Sequence, residues 1–391
     1  MASEAPPERP LSGFVARFPA LRHRNFRLFV VGQGISLIGF WMQSVAQGWL
    51  VFHLRERPLD LGTVAFAGYL PILLLGSPGG VVADRLPRRP ILLATQTVFM
   101  LLAAGLGIVV LAGAVTVPIM VAYAGVVGLV SALDVPTRQA FLVEMAGPED
   151  LPNAIALNSS IFNGARVVGP AIGGVLVAAV GVAPCMLLNA ASYLAVLAAL
   201  AAMRLPARAR SHGSHATATG FRSGLRYVWG VPVLRNLLLL LGVVCCFGVQ
   251  YAVLMPVFAN VFGADSLGYG LLLSAAGIGS VASSLQLASR RYSRLQHRRN
   301  LLFGLVLFAV SLLGLAASPR LELALVCQLL AGYGMVRYLA TTNTLLQLFV
   351  DEGYRGRVMG LHTVMFLGTQ PFGSLFLSGI AQRVGARRAA L

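Results

Sequence analysis

The chain has 391 residues, of which 57% are hydrophobic and only 11% are charged. Soluble domains carry about a quarter charged residues, so this composition excludes a water-soluble globular protein and indicates extensive contact with lipid. The net charge of +17 arises from 30 basic residues, all arginine, against 13 acidic ones. These arginines are spread between long uncharged runs rather than gathered on one surface, which argues against a nucleic-acid partner.

Long uncharged runs divide the chain into predicted membrane spans, each of which needs about 20 mostly apolar residues. The first half supplies six, within residues 27–55, 60–84, 89–134 (two spans) and 151–203 (two spans). Five more follow at 233–260, 268–288, 300–317, 321–349 and 357–380. The sequence therefore predicts an all-α integral membrane protein with 11 transmembrane helices.

The spans fall into two halves that show weak internal repetition. We expect an N-terminal segment at 1–27, a six-helix bundle at 28–203, a central loop at 204–230 and a five-helix bundle at 231–391. A shift of 204 residues aligns Leu142 with Leu346 and Gly169 with Gly373. Internal duplication is typical of transporters that bind substrate between two pseudo-symmetric bundles.

The distribution of arginine predicts the orientation of the chain. If the N terminus is cytoplasmic, the inside segments hold 21 arginines and the outside loops hold only Arg55, Arg57 and Arg320. Cytoplasmic loops retain positive charge, so we expect this orientation. Arg383, Arg387 and Arg388, which follow the last span, are the exception.

The loop after the second span reads Gly80-Val-Val-Ala-Asp84-Arg85-Leu-Pro-Arg88-Arg89. Gly80 permits close helix approach, Asp84 is placed to cap a neighbouring helix, and Arg88 lies where it can pair with an acid. An ordinary positively charged loop explains the arginines but not Asp84. The pattern resembles the cytoplasmic loop motif of the major facilitator superfamily, and the resemblance implies a latch formed by Gly80, Asp84, Arg85, Arg88 and Arg89.

The other members of this expected cytoplasmic gate come from more distant parts of the chain. Asp134 in the fourth span is a candidate partner of Arg88, and the start of the eleventh span, around Arg357, is a candidate partner of Asp84. The corresponding stretch of the second half, residues 286–294, lacks the acid, so we expect the latch to be asymmetric.

The fifth span contains a run of small residues around a proline: Ala165, Gly169, Pro170, Gly173 and Gly174. Small residues allow two helices to approach closely, and proline removes a backbone hydrogen bond. The run resembles the antiporter motif of the superfamily, with alanine at the first glycine position. That resemblance favours an exporter over an importer, whereas a helix-packing patch without directional meaning is the alternative.

Two arginines lie well inside predicted spans, far from the span ends, where a charge is costly and usually functional. Arg166 falls near mid-depth in the fifth span, and we expect it to face the cavity and to bind an anionic substrate group or to act in proton coupling. Arg337 in the tenth span occupies nearly the pseudo-symmetric position of Asp134, which suggests an ion pair between these two residues.

Polar side chains without charge supply further candidates for the substrate or coupling site. They include Gln33, Gln43, Asn163 and Gln250, together with His362, the only histidine well inside a span. Interhelical hydrogen bonds are the alternative role for such residues. The sequence does not identify which residue would bind a coupled proton.

Neither metal nor cofactor chemistry is predicted. Cys185, Cys245, Cys246 and Cys327 lie in apolar stretches without metal-binding spacing, so they are interpreted as buried hydrophobic residues. An intramembrane enzyme would need clustered catalytic side chains, and the sequence contains no such cluster. We therefore expect no cofactor, no metal and no enzymatic activity.

Longer strings narrow the resemblance within the superfamily. Residues 21–43, 134–144 and 153–159 resemble the secretion-effector branch, which includes the enterobactin exporter. The similarity covers residues 20–385, and it implies the major facilitator fold with twelve spans in the bacterial inner membrane. Here the twelfth helix is expected to be missing.

The sequence as a whole predicts a monomeric exporter of a small organic molecule, siderophore-like or drug-like, that works by alternating access against proton entry. An inactive or non-transporting truncated membrane protein is the alternative. A sensor is disfavoured, since no soluble domain is predicted.

Overall fold

The computed structural model describes residues 18–204, 218–290 and 292–389. A short 3-10 turn at Pro19–Arg22 precedes the first long helix. The first half then forms six helices: α1 Arg24–Arg55, α2 Pro58–Arg85, α3 Arg88–Leu111, α4 Val117–Gly147, α5 Glu149–Val180 and α6 Val182–Ala202.

The second half begins with a short helix, α7, at Ala218–Gly230. Five long helices follow: α8 Pro232–Val261, α9 Ser266–Ala288, α10 Arg294–Ala317, α11 Leu321–Phe349 and α12 Glu352–Val384. A final turn, α13, covers Ala386–Ala389. The prediction of an all-helical protein is confirmed, because the described residues contain 11 helices long and apolar enough to cross a membrane. Helix α7 lies in the stretch that was expected to be a loop, whereas residues 1–17 and 205–217 of the expected polar segments lie outside the described residues.

Local sequence explains where several helices start and end. Proline occupies the first turn of α2 and of α8. The N–H groups of a first turn have no acceptor within the helix, so proline, which lacks an N–H, is well tolerated there. Asp265 caps α9 by accepting a hydrogen bond from the Gly268 N–H at 3.1 Å. Ser293 and Gln296 form a reciprocal capping box at the start of α10.

The junction of α4 and α5 is a break in the helix at Gly147, the last residue of α4. Gly147 has φ 71° and ψ 166° in an otherwise continuous helical stretch from Val117 to Val180. This backbone conformation strongly favours glycine. The two helices are therefore joined directly, without a loop.

Two helices are interrupted next to each other in the second half. Helix α8 changes to a π-helical turn at Val244–Gly248 and a 3-10 turn at Val249–Leu254, and α12 is broken between Leu367 and Gln370. A Cβ on Gly373 of α12 would clash with the Cys246 carbonyl of α8. The irregular segments thus meet in direct backbone contact.

The helices have two sets of ends, which we call the basic face and the opposite face. The basic face carries the α2–α3, α4–α5, α9–α10 and α11–α12 junctions; the opposite face carries the α1–α2, α3–α4, α5–α6, α8–α9 and α10–α11 junctions. At the basic face, the start of α1 is fastened to the end of α6: Arg24 donates to the Ala202 carbonyl at 3.1 Å and Asn25 to the Arg204 carbonyl at 2.8 Å.

The two bundles pack together near the opposite face, where α5 meets α9 and α2 meets α12. A Cβ on Gly174 would lie 2.8 Å from the Ser266 carbonyl, and one on Gly62 would lie 2.6 Å from the Ser374 carbonyl. Along the same line of contact toward the basic face, Ala156, Ser160 and Leu285 are exposed. The bundles are therefore in contact at the opposite face and apart at the basic face.

Candidate functional site

A cavity of about 330 Å³ lies inside the first bundle, between α1, α3, α4, α5 and α6. Its lining combines amides and hydroxyls with aromatic rings and one pair of charges. The lining residues include Gln33, Ser36, Phe40, Gln43, Gln47, Gln96, Phe99, Tyr123, Ser131, Asp134, Arg138, Phe162, Asn189 and Tyr193. Such a mixture suits an organic ligand that has both flat apolar groups and hydrogen-bonding groups.

A chain of hydrogen bonds joins three helices at the middle of the cavity. Gln43 of α1 donates to the Tyr123 hydroxyl of α4 at 2.7 Å, and Asn189 of α6 donates to the Gln43 side-chain oxygen at 2.6 Å. Gln43 and Asn189 are 4% and 2% exposed, so each needs these partners in the apolar interior. Gln33 and Gln43 both line the cavity, and Gln43 makes the interhelical hydrogen bonds that are the alternative role for such residues.

Nearer the basic face, the cavity is lined by a buried ion pair. Asp134 is 1% exposed and pairs with Arg138, one helical turn later on α4. The other carboxylate oxygen accepts hydrogen bonds from Thr95 at 2.7 Å and from Gln96 at 2.8 Å, both on α3. The carboxylate charge is thus matched within the first bundle.

The two expected pairings of Asp134 are wrong. Arg88 donates instead to the Glu144 carboxylate at 3.3 Å and to the Ala140 carbonyl at 2.9 Å. Among the described residues, Arg337 donates to groups of the second bundle. The reason is helix rotation: Asp134 faces α3 inside its own bundle, and the acid that reaches Arg88 lies ten residues later on α4.

The remaining expected gate residues lie at the basic face. Asp84 is 64% exposed at its side chain, 3.9 Å from Arg88, and Arg85 and Arg357 are exposed. Arg89 donates to the Ala201 carbonyl of α6 at 2.7 Å. Among the described residues, no ion pair links this loop to the second bundle.

Close helix approach in this loop occurs at Gly79 and not at Gly80. A Cβ on Gly79 would clash with the Ala132 carbonyl of α4, whereas a Cβ on Gly80 would meet nothing closer than Pro136 at 4.0 Å. The packing role expected for Gly80 therefore belongs to its neighbour.

The small residues of the fifth span contact both bundles. Gly173 packs on Met42 of α1, where a Cβ would lie 2.8 Å from the Met42 carbonyl, and Gly169 also packs against α1. Gly174 and Pro170 instead face Gly270 of α9. Ala165, at the first position of the motif, is buried. The motif thus connects the cavity helix α1 with the contact between bundles.

Arg166 lies in the same stretch of α5, between the two bundles. Its guanidinium carbon is 5.7 Å from the centre of the Trp41 ring of α1. The phenol groups of Tyr69 on α2 and Tyr251 on α8 lie near it. A Cβ on Gly277 of α9 would lie 2.9 Å from the Arg166 carbonyl. Arg166 is therefore placed where the opening between the bundles ends.

The other candidates are scattered. Gln250 is buried and donates to the Cys245 carbonyl of its own helix at 3.3 Å. Asn163 donates to the Ser159 carbonyl at 2.8 Å, and His362 is half-buried beside Phe366. None of these three lines the cavity in the first bundle. Within the described ranges, no group of three His, Cys, Asp or Glu side chains is arranged to hold a metal ion.

Sequence reasoning missed several residues of the site. Arg138 was counted only as a loop charge, although its spacing of four from Asp134 is a signal for a helical ion pair. Thr95, Gln96 and Asn189 carry no distinctive pattern, because isolated polar residues in apolar helices are common.

A family profile described as transmembrane secretion effector matches residues 15–391. The multidrug efflux pump Tap of Mycolicibacterium fortuitum is 28% identical over 366 residues, covering 90% of this chain and 87% of that protein. The staphyloferrin A transporter of Staphylococcus aureus is 27% identical, with coverage of 93% and 91%. The enterobactin exporter EntS of Escherichia coli is 27% identical, with coverage of 92% and 85%.

Solved structures share the fold at lower identity. The nucleoside transporter NupG superposes with a TM-score of 0.71 at 13% identity, covering 94% of this chain and 95% of that one. A bacterial homologue of the lysosomal transporter Spinster, in an inward-facing occupied conformation, gives 0.70 at 15% identity, with coverage of 95% and 83%. These relatives and neighbours are transporters rather than enzymes. The profile match over residues 15–391 shows that the chain belongs to the transmembrane secretion effector family of the major facilitator superfamily.

Proposed function

We propose that this protein is a secondary active exporter that moves a small organic molecule out across the bacterial cytoplasmic membrane. The observation that carries the proposal is the contact of α5 with α9 at the opposite face, together with the separation of the bundles at the basic face. The positive-inside rule makes the basic face cytoplasmic. In this conformation the protein is therefore ready to receive a substrate from the cytoplasm.

Export then requires the bundles at 28–203 and 231–391 to rock, so that the basic face closes and the opposite face opens. Asp84 is exposed here and Arg357 is exposed at the start of α12. We infer that these two residues approach each other when the basic face closes, and that Arg85, Arg88 and Arg89 hold the loop in position. The latch is thus a feature of the outward-facing state.

The cavity lining limits the substrate class. The one pair of charges in the cavity neutralises itself, while amides and aromatic rings supply the remaining contacts. This environment favours a bulky molecule of low net charge with several hydrogen-bonding groups, which describes many siderophores and drugs. The relatives, a multidrug efflux pump, a staphyloferrin A transporter and an enterobactin exporter, agree with that class.

Arg166 is the candidate residue for coupling or for an anionic substrate group. It lies between the bundles, next to Trp41, whose buried indole N–H has no hydrogen-bond partner among the described residues. Movement of the bundles changes the surroundings of this charge, which is the requirement for coupling a charge to alternating access. We propose proton antiport as the energy source.

The test compares, by mass spectrometry, the medium and the interior of cells with and without the protein, in low iron, with and without a protonophore. We expect one compound to appear in the medium only with the protein, and to accumulate inside when the protonophore is added. The Asp84→Asn variant should lower the exported amount at least tenfold at equal membrane abundance.

The matched control is Glu322→Gln, which makes the same change at an exposed acid on the opposite face. Export should be unchanged in this variant. An identical compound profile with and without the protein, in all conditions, would reject the exporter. Normal export by Asp84→Asn would reject the latch alone.

A further inference from the structure

Arg337 is a buried cation surrounded by neutral groups. Its side chain is on α11 and only 8% of the residue is exposed. The guanidinium donates to the side-chain oxygen of Gln286 on α9, to the Tyr333 hydroxyl at 2.6 Å and to the Asn300 side-chain oxygen of α10 at 2.7 Å. The Phe303 ring lies 5.4 Å away. Three helices of the second bundle thus meet at one positive charge.

No acid neutralises this charge within the part of the chain that the structure describes. A guanidinium keeps its proton at physiological pH, and a buried charge without a counter-charge is strongly unfavourable. In the first bundle, the buried charge of Asp134 is neutralised by Arg138. In the second bundle the corresponding negative charge is missing.

Two hydrogen-bond donors at the cluster are also unused. The Nε–H of Arg337 and the side-chain NH₂ of Asn300 are buried and have no acceptor. Both residues are more than nine-tenths buried. A buried donor that stays unpaired destabilises the fold. Missing negative charge and missing acceptors point to the same kind of ligand, an anionic oxygen.

The cluster lies at a depth that suits a lipid headgroup. Gln286 is two residues before the end of α9, and Asn300 is six residues after the start of α10, about 9 Å along the helix at 1.5 Å per residue. Arg337 lies deeper, twelve residues before the end of α11, and its guanidinium extends toward the basic face to reach both side chains. Arg294, Arg298 and Arg299 are exposed on the first turns of α10, closer to the surface. The approach to the cluster is therefore positively charged.

Access from the lipid side is indicated by the exposed apolar stripe of α10. It consists of Leu295, Leu302, Phe303, Val306 and Val310, which are 52–59% exposed and lie along one side of the helix. Large apolar side chains in this arrangement face hydrocarbon chains. Because Phe303 belongs to the stripe and also covers the guanidinium of Arg337, the cluster lies directly behind the lipid-facing surface.

We propose that Arg337 and Asn300 bind the phosphate group of an anionic phospholipid in the leaflet at the basic face. The phosphate supplies the counter-charge of Arg337 and accepts hydrogen bonds from its Nε–H and from the Asn300 amide. The exposed arginines of α10 attract the headgroup. A bound lipid ties α9, α10 and α11 together, and it stabilises the second bundle independently of substrate. Free inorganic phosphate has the same chemistry and is tested as a second source.

The experiment measures thermal unfolding of the purified full-length protein in neutral detergent, titrated separately with phosphatidylglycerol, phosphatidylcholine and inorganic phosphate. Native mass spectrometry of the same samples counts retained lipid. We expect phosphatidylglycerol to raise the unfolding temperature and to be retained, and phosphatidylcholine to have no comparable effect. If inorganic phosphate stabilises the protein and phosphatidylglycerol does not, the result would support an anion site at Arg337 and would reject a lipid as its ligand.

The variant Arg337→Gln should bind phosphatidylglycerol more weakly, so that the half-saturating concentration rises at least tenfold. Arg320→Gln, which removes an exposed arginine at the other end of the same helix, is the matched control and should respond like the wild type. Equal responses of all three proteins, or stabilisation by phosphatidylcholine as large as by phosphatidylglycerol, would overturn the proposal.

A second variant keeps the test decisive if Arg337→Gln does not fold. Asn300→Asp is nearly isosteric and places a carboxylate beside the guanidinium. It should be more stable than the wild type without lipid, and it should no longer gain stability from phosphatidylglycerol. Reduced stability without lipid, combined with an undiminished response to phosphatidylglycerol, would contradict a site that lacks a negative charge.

Discussion

The buried pair of Asp134 and Arg138 is the most constrained interaction among the described charges. The carboxylate has partners on both oxygens and is almost completely enclosed. Leaving one member of a buried pair alone is far more costly than removing both, since the survivor loses water and partner together. The stability of the first bundle therefore depends on both charges being present together.

We accordingly expect Arg138→Gln to destabilise the protein by about 3–5 kcal/mol, because Asp134 would remain charged and unpaired. The double variant Asp134→Asn/Arg138→Gln should recover at least half of the lost stability. Thermal unfolding of the purified proteins in detergent is the measurement. A double variant as unstable as the sum of both single variants would show that the two charges act independently.

At the level of helices, the packing of α2 on α4 depends on glycine at one position and not at the next. Gly79 faces the Ala132 carbonyl directly, whereas Gly80 points into open space. A methyl group at Gly79 would meet backbone, which cannot move away as a flexible side chain does.

The expected result is that Gly79→Ala destabilises the protein by about 1–3 kcal/mol through overpacking, while Gly80→Ala is neutral or slightly stabilising. The two variants form a matched pair, since they add the same group at adjacent positions of one helix. Unfolding temperature and yield of folded protein are the readouts. Equal effects at both positions would contradict the close contact of α2 with α4.

Helix positions were largely predictable from the sequence, whereas partners were not. The predicted span 321–349 matches α11, and the span 268–288 differs from α9 by two residues, because charge and apolar length mark both ends. Asp134 was correctly singled out as an embedded acid, but its partner depends on which way α4 is rotated. Hydropathy is nearly uniform around these helices, so the sequence carries little information on rotation.

For the molecule as a whole, the separation of the bundles at the basic face defines which compartment reaches the interior. That compartment is the cytoplasm only if the arginine-rich ends are inside. The orientation of the chain therefore decides whether this conformation takes up substrate from the cytoplasm, as export requires.

Labelling of one added cysteine at either end of the molecule tests this orientation. We expect a membrane-impermeant maleimide to label Arg320→Cys in intact cells, and to label Arg85→Cys only after permeabilisation, because both positions are exposed but lie on different faces. The unmodified chain is the control, since Cys185 and Cys245 are buried and Cys246 and Cys327 are half-buried. The reverse labelling pattern would contradict a cytoplasmic basic face.

The direct junction of α4 and α5 at Gly147 has a mechanical consequence. Helix α4 carries cavity residues, and α5 carries glycines that touch the second bundle. A long loop between the two helices would absorb a displacement of α4, whereas the junction at Gly147 leaves little chain to absorb it. We therefore expect a ligand that shifts α4 to shift α5 as well, and with it the contact between the bundles.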